Sequence, residues 1–482
     1  MFAPAGMASM ATDRGTHSPL LWLVAVGFFM QTLDGTIVNT ALPSMARSLG
    51  ESPLHMQWVI VAYSLAMALL IPASGWAADR FGTRRVYVAA IALFVLGSVA
   101  CALAGNLQQL VAARVLQGMG GAFLLPVGRL AVLRSVPRDQ FLAAMSFVAI
   151  PGLIGPLLGP TLGGWLVQFA SWHWIFLINV PVGLVGCAAA MRIMPDLAVS
   201  PAPRFDAAGY GLLAFGMVAL SLALDGLSGL GLGRAGALVL AVFGLVAVTA
   251  YWLHAARRPQ PLFSPHLFRT RTLSVGLLGN LFSRLGSSCM PFLVPLMLQL
   301  TMGFSPLQAG LMMLPVALAS IATKRFTTPL IRRFGYRHVL GVNTLLVGLA
   351  MASFALASPD QPLALRIAQL ALFGAVNSMQ FTAMNTLTLK DLDGRDASSG
   401  NSLLSMVQML AMGMGVAVAG AVLAGFTDVF ANGAPASTLH ALQATFACMG
   451  LVTMASAAIY WQLAREAPAV ARETPADVSG QG

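Results

Sequence analysis

The sequence predicts an all-α polytopic membrane protein whose fourteen transmembrane helices form two six-helix bundles with a further helix pair inserted between them. Three observations lead there. The chain has 57% hydrophobic and only 9% charged residues, with a mean hydropathy of +0.79, well outside the composition of soluble domains. Fourteen apolar runs follow one another, each close to the roughly 20 residues that carry a helix across a bilayer. A loop motif also recurs at matching places in the first and last thirds of the chain.

Taken in order, apolar runs between charged or Pro/Gly-rich breaks place helices at 20–42, 56–78, 85–105, 108–131, 141–166 and 172–194. Eight more follow at 206–225, 234–256, 272–298, 306–330, 338–357, 363–388, 401–425 and 438–463. Residues 1–19 read as a polar tail. The run after them is too long for a signal-peptide core and lacks a convincing cleavage site, so it stays as the first helix. Residues 464–482 form a second tail, mixed in Pro, Ala and charge and read as disordered from Ala467 onward.

The loop after the second helix reads DRFGTRRV (79–86) and the loop after the tenth reads RRFGYRHV (332–339), so R-F-G-x-R recurs 253 residues on. Helices one to six (20–194) then correspond to helices nine to fourteen (272–463), and 195–271 holds the inserted pair and a linker. Parallel six-helix repeats are a transporter architecture. The stretch HAARRPQPLFSPHLFRTRT (254–272) reads as an interfacial connector, with Phe263, Leu267 and Phe268 toward lipid and its arginines toward headgroups.

Charge sets the orientation. One set of loops and tails carries Arg14, Arg80, Arg84, Arg85, Arg134, Arg138, Arg192, Arg204, Arg257, Arg258, Arg269, Arg271, Arg332, Arg333, Arg337, Lys390, Arg395, Arg465 and Arg472; the other carries Arg47, Arg234 and Arg366. A 19-to-3 split puts the first set, and both termini, in the cytoplasm. The net charge of +11 is therefore spread over short loops and points to topology, not to nucleic acid. Cys101, Cys187, Cys289 and Cys448 each stand alone in an apolar run, with no disulfide framework and no metal-ligand spacing. The seven histidines lie in tails, loops or helix ends without a metal or catalytic pattern, and there is no GxxxxGK phosphate loop. An enzyme is not expected.

Five segments together carry a family resemblance over nearly the whole chain. They are LDGTIVNTALP (33–43), QWVIVAYSLAMALLIPASGWAADRFGTRR (57–85), ARVLQGMGGAFLLP (113–126), PGLIGPLLGPTLGG (151–164) and SWHWIFLINVPVG (171–183). In this order they resemble the major facilitator superfamily, specifically its fourteen-span drug:proton antiporter family and most closely the MdtD-type multidrug-resistance proteins. The resemblance implies the major facilitator fold and proton-coupled export of drugs or other toxic compounds. One position departs from the pattern: His173 stands where an arginine is common, between Trp172 and Trp174, which are expected as outer-interface anchors.

The residues themselves narrow the chemistry. Asp34 is an acid deep in the first helix, where an Asp costs about 2.5–3.5 kcal/mol on an insertion scale, so it needs a cavity or a partner. A carboxylate stripped of water suits a group that binds and releases a proton during transport. Arg114 in the fourth helix cannot lose its proton and is read as the group that tunes a carboxylate or holds an anion; the resemblance implies a share in proton coupling. In the fifth helix Gly152, Gly155, Gly159, Gly163 and Gly164 clear a face for close approach while Pro156 and Pro160 bend it, which fits both static packing and a helix that rocks. Asp79, Arg80, Gly82 and Arg84 form the first loop motif, read as a latch between the halves that makes and breaks during the cycle.

Five basic residues fall inside the membrane against one well-buried acid: Arg114, Arg129, Arg284, Lys324 and Arg325. Such a lining attracts anions more than lipophilic cations. Gln117, Asn280, Asn377, Gln380, Asn385, Arg284, Lys324 and Arg325 are the expected cavity residues. The expected function is a secondary exporter of small amphipathic compounds in a bacterial inner membrane, driven by the proton gradient with no cofactor, acting as a monomer among membrane lipids. The alternatives are an exporter of a small organic anion such as citrate or a metal–citrate chelate, and an uncoupled channel or non-transporting sensor.

Overall fold

The computed structural model describes residues 18–197, 204–225, 234–392, 396–430 and 437–463. Most of both tails, and Arg14, Arg395, Arg465 and Arg472 of the charge count, lie outside them. The described residues contain helices and loops and no strand. A first half runs through α1 (Ser18–Leu49), α2 (Gln57–Phe81), α3 (Thr83–Ala102), α4 (Leu107–Ser135), α5 (Arg138–Phe169) and the consecutive pieces α6 (Trp174–Leu177) and α7 (Asn179–Ile193). The inserted pair is α8 (Ala207–Asp225) and α9 (Arg234–Arg257). A second half follows as α10 (Arg271–Ser287), α11 (Met290–Leu300), α12 (Pro306–Leu311), α13 (Leu314–Ala352), α14 (Leu363–Leu389), α15 (Asp396–Val429), α16 (Ser437–Ala455) and α17 (Ala457–Tyr460). Eleven stretches among the described residues are long and apolar enough to cross a membrane.

Two differences from the predicted runs have local causes. The ninth run is broken at Ser288–Cys289, where the Ser288 hydroxyl donates to the Arg284 carbonyl (2.6 Å) and Pro291, without an N–H, sits in the first turn of α11. The tenth and eleventh runs join as α13, which bends at Gly335 (φ 74°, ψ 160°). Gly82, between α2 and α3, has almost the same backbone (φ 87°, ψ 145°), a conformation open to glycine. The likeness extends to the following arginines. Arg84 donates to the Met194 carbonyl (2.6 Å) at the end of α7, and Arg337 donates to the Leu463 carbonyl (3.2 Å) just beyond α17. The recurring sequence motif is thus a recurring turn, each copy tied to the last helix of its own half.

The glycines of α5 divide between two tasks. A Cβ at Gly152, Gly155, Gly159 or Gly163 would run into Phe28, Thr32, Thr36 or Ile37, all on α1, so these four let two helices of the same half close together. Gly164 instead meets the Pro306 carbonyl of the second half, and Gly310 of α12 meets the Pro160 carbonyl in return. Around them Thr161 donates to the Gly310 carbonyl (3.3 Å) and Gln299 to the Thr40 carbonyl (3.0 Å). One apolar core there joins Ile37–Ala46 to Phe292–Leu298. The halves are therefore shut at the end bearing Leu49 and Pro306.

The inserted pair and its connector lie against both halves rather than apart from them. Leu213, Met217, Tyr251, Phe263 and Leu267 share a core with Ala68 of α2, Leu273 and Leu277 of α10, and Leu403, Leu404 and Met406 of α15. The expectation that Phe263 and Leu267 face lipid is corrected: they are 4% and 2% exposed. The reason is local, because the Tyr251 hydroxyl accepts from Phe263 N–H (2.9 Å) and donates to its carbonyl (3.2 Å), pulling the connector onto the bundle. Phe268 packs edge-on to Trp252 at 4.9 Å. Asp206, at the start of α8, accepts from His254 (2.8 Å), Gly209 N–H (3.1 Å) and Leu262 N–H (3.4 Å).

Candidate functional site: a buried ion pair and a central cavity

Asp34 is fully buried in the first half, and every charged or polar contact it makes comes from another helix. Its Oδ2 accepts from Arg114 Nη1 of α4 at 2.6 Å. Its Oδ1 accepts from Gln117 Nε2 (2.8 Å) and from Asn179 Nδ2 of α7 (2.9 Å). Gln117 also donates to Ser98 of α3 at 2.8 Å and accepts from Arg114 Nη1 at 2.6 Å. Arg114, 1% exposed, gives its Nε to the Val59 carbonyl of α2 at 3.0 Å and lies over the Tyr63 ring, 4.0 Å from the centroid. Five helices, α1, α2, α3, α4 and α7, thus meet in the network around one carboxylate and one guanidinium, and the polar atoms of the carboxylate are all partnered.

The second centre is a cavity of about 360 Å³ between the halves. The first half contributes Thr36 and Asn39 of α1 and Pro156, Leu157 and Pro160 of α5. The second contributes Arg284, Ser287, Ser288, Ser320, Lys324, Asn377 and Ser378, with Met313, Val316, Ile321, Phe373, Phe381 and Met384 as its apolar wall. No Asp or Glu lines it among the described residues. Arg284 lies over the Phe381 ring, 4.6 Å from the centroid, and its buried Nε has no hydrogen-bond partner among the described residues. The volume falls within the range of small-molecule sites, roughly 300–1,000 Å³.

Of the expected cavity residues, Arg284, Lys324 and Asn377 line this space. Gln117 is on the Asp34 network instead. Asn280 and Asn385 are joined through Gln408, which donates to both (3.3 and 2.6 Å). Gln380 is buried in a second polar cluster, accepting from Asn343 (2.8 Å) and donating to Thr344 (2.6 Å) and Tyr460 (3.3 Å). Arg325 is exposed, stacked over its neighbour Phe326 at 4.7 Å, and Arg129 is half-buried outside the cavity wall. At the cavity itself the positive charge is carried by two residues, Arg284 and Lys324, while Arg114 is paired with Asp34.

The loop motif, expected as a latch that makes and breaks, makes its contacts within one half in this conformation. Asp79 pairs with Arg134 of α4 at 2.5 Å, and Thr83 donates to the Pro195 carbonyl (2.5 Å), so both contacts stay in the first half. A Cβ on Gly82 would strike the Asp196 carboxylate. Arg80 is exposed. Trp172, expected at the outer interface, is 3% exposed and stacks on His173 at 3.7 Å, whereas Trp174 is exposed.

Asn179, Ser98, Tyr63, Asn39 and Ser320 were not singled out by sequence. Asn179 carried a usable signal, a lone amide within IFLINVPVG. Ser98 and Tyr63 carried none, because a serine or tyrosine in a membrane helix is ordinary until its neighbours are known.

The sequence profile described as the Major Facilitator Superfamily matches residues 24–416. The MdtD protein of Serratia proteamaculans (strain 568), named for multidrug resistance, is 55% identical over 406 residues, covering 84% of this chain and 85% of its own length. The protein of the same name from Salmonella heidelberg (strain SL476) is 53% identical over 443 residues, covering 91% of this chain and 93% of its own. Among solved structures, a peptide transporter crystallised with sulfate shares the fold with a TM-score of 0.67 at 15% identity, covering 92% of this chain and 93% of its own. On these matches the chain belongs to the major facilitator superfamily, with the MdtD-type multidrug resistance proteins, and is a multi-pass membrane transporter, not an enzyme.

Proposed function

We propose that the chain is a proton-coupled secondary exporter that works by alternating access in a bacterial inner membrane. The observation that carries this is the placing of Asp34 and Thr36 two residues apart on α1: one is sealed in the Arg114 network, the other lines the cavity. Proton and substrate then act on the same helix. Protonation of Asp34 removes the counter-charge of an arginine that stays charged, and a buried cluster left with a net positive charge has to rearrange. That rearrangement is what couples proton entry to substrate exit.

The orientation of this reading follows the loop arginines, with both termini cytoplasmic. The closed end at Gly164 and Gly310 is then periplasmic, and the described conformation faces inward. We count fourteen crossings: the eleven apolar stretches, one more for the bend at Gly335, and α5 and α14, each long enough to span. The exporter acts as a monomer and draws on the proton gradient alone.

A small amphipathic organic molecule suits the mixed wall. Arg284 and Lys324, with no acid on the cavity wall among the described residues, favour a second and narrower reading, an organic anion such as citrate or a metal–citrate chelate. Proteoliposomes with an imposed pH gradient separate the cases when given citrate or tetraphenylphosphonium. If the anion reading holds, Arg284→Gln with Lys324→Gln lowers gradient-driven citrate transport about tenfold or more, since hydrogen bonds to charged groups contribute about 1.5–3 kcal/mol each, and spares any transport of the cation. Unchanged citrate transport by that variant overturns the anion reading. Gradient collapse without counter-flow of any solute points to an uncoupled channel.

A further inference from the structure

Helix α2 lies between the buried ion pair and the second half of the protein, and its residues divide onto opposite faces. Val59 and Tyr63 are one turn apart and both hold Arg114, through a carbonyl at 3.0 Å and a ring centroid at 4.0 Å. At 3.6 residues per turn, Gln57, Val61 and Ser64 fall on the far side. That side packs on α15: a Cβ at Gly413 would sit 3.3 Å from the Ser64 Cβ and 3.7 Å from the Val61 carbonyl, and one at Gly420 would overlap the Gln57 side chain. Val59, Ile60 and Val61 share a core with Val416, Ala417 and Ala419 of α15. A displacement of the guanidinium along this line therefore bears on the second half with a single helix between.

Tyr63 itself is 2% exposed, and its hydroxyl has no hydrogen-bond partner among the described residues. Its π face is the part in use. The other charged or titratable groups around Arg114 are Asp34 of α1 and Cys101 of α3. From α7 comes neutral Asn179, from α6 Phe176, its ring 5.8 Å away, and the stretch of α5 packed on α1, residues 151–164, has no charged or titratable side chain.

We propose that Tyr63 is the positioning residue through which protonation of Asp34 is transmitted to the interface between the halves, by holding the Arg114 guanidinium against α2 with its aromatic face. This rests on the reading of Asp34 as the proton site. While Asp34 is charged, Arg114 is shared between α1 and α2. Once Asp34 is protonated, the guanidinium keeps the Val59 carbonyl, Gln117 and the Tyr63 ring, so its hold passes to α2 and the load reaches Gly413 and Gly420 of α15.

The test uses the full chain in lipid nanodiscs with fluorescent donor and acceptor amino acids at Arg85 and Arg333, exposed positions on the corresponding loops of the two halves. Energy transfer is followed against pH. The wild-type signal is expected to change with one midpoint, and Tyr63→Phe to keep it. Tyr63→Leu removes the ring that stabilises the uncompensated guanidinium, so its midpoint moves toward acid by about one pH unit, the equivalent of about 1.4 kcal/mol. If Tyr63→Leu does not fold, Tyr63→Met carries the same test with a longer side chain. A Leu or Met variant that titrates like wild type overturns the proposal, as does a Phe variant that behaves like Leu. Asp34→Asn is expected to abolish the pH response. A response retained there overturns the proton-site reading itself, an outcome distinct from failure at Tyr63.

Discussion

Replacing Arg114 with methionine probes the balance of the buried pair directly. The change removes the 2.6 Å bond to Asp34, the 2.6 Å bond to Gln117 and the 3.0 Å bond to the Val59 carbonyl, and leaves a fully buried carboxylate held by two amides. Breaking a buried pair by deleting one partner costs about 3–5 kcal/mol, mostly from the charge left behind. The double variant Asp34→Asn with Arg114→Met has no such charge, and the new Asn amide can donate to the Gln117 oxygen that Arg114 vacates. It is expected to recover much of the loss, giving a coupling energy of roughly 2–3 kcal/mol. A double-mutant cycle by SDS titration in mixed micelles measures this. A coupling below about 0.5 kcal/mol, as for sites that act independently, would refute the claim that each group is tolerated because of the other.

Gly164→Leu drives a side chain into the Pro306 carbonyl, so labelling of a cysteine placed at Ala309, which is fully buried beside Gly310 at that end, should increase as the end is held open; labelling equal to that in the Gly164 background would contradict the assignment of Gly164 to closure. At the connector, burial pushes the Asp206 carboxyl up, but the His254 hydrogen bond and charge and the Gly209 and Leu262 N–H groups outweigh it and hold the group below the usual carboxylate range. Its folded-state value is thus depressed, so its contribution is complete above about pH 4 and lost as pH falls through that lowered value. Asp206→Asn should speed hydrogen exchange at Leu262 and Phe263 about tenfold at neutral pH, an effect of the order of one charged hydrogen bond; unchanged exchange would remove Asp206 from the anchoring of the connector.

Composition and periodicity made the helical membrane fold legible, because bilayer spans leave long apolar runs that need no tertiary information. The two R-F-G-x-R loops made the internal repeat legible for a similar reason: a tight turn at Gly82 and Gly335 has strong local requirements. What the sequence withheld was direction. Gln117 and Arg284 are both polar residues in apolar helices, yet one faces Asp34 and the other the cavity, and only the packing of the helices around each decides its direction. The α5 glycines show the same limit, since Gly163 and Gly164 are neighbours in sequence but serve opposite interfaces. The connector was misread because a tyrosine twelve residues away, Tyr251, draws Phe263 inward.

The account turns on Asp34 as the group that takes up and releases the transported proton. The direct measurement is gradient-driven transport by Asp34→Asn and wild type in the same proteoliposomes across a pH series, with binding of the transported solute followed in parallel. Asn keeps the shape and the amide contacts of the site but cannot exchange a proton. The account predicts that the variant still binds solute, loses accumulation against its gradient and shows no pH dependence. Accumulation by the variant that still rises with the pH gradient would contradict it.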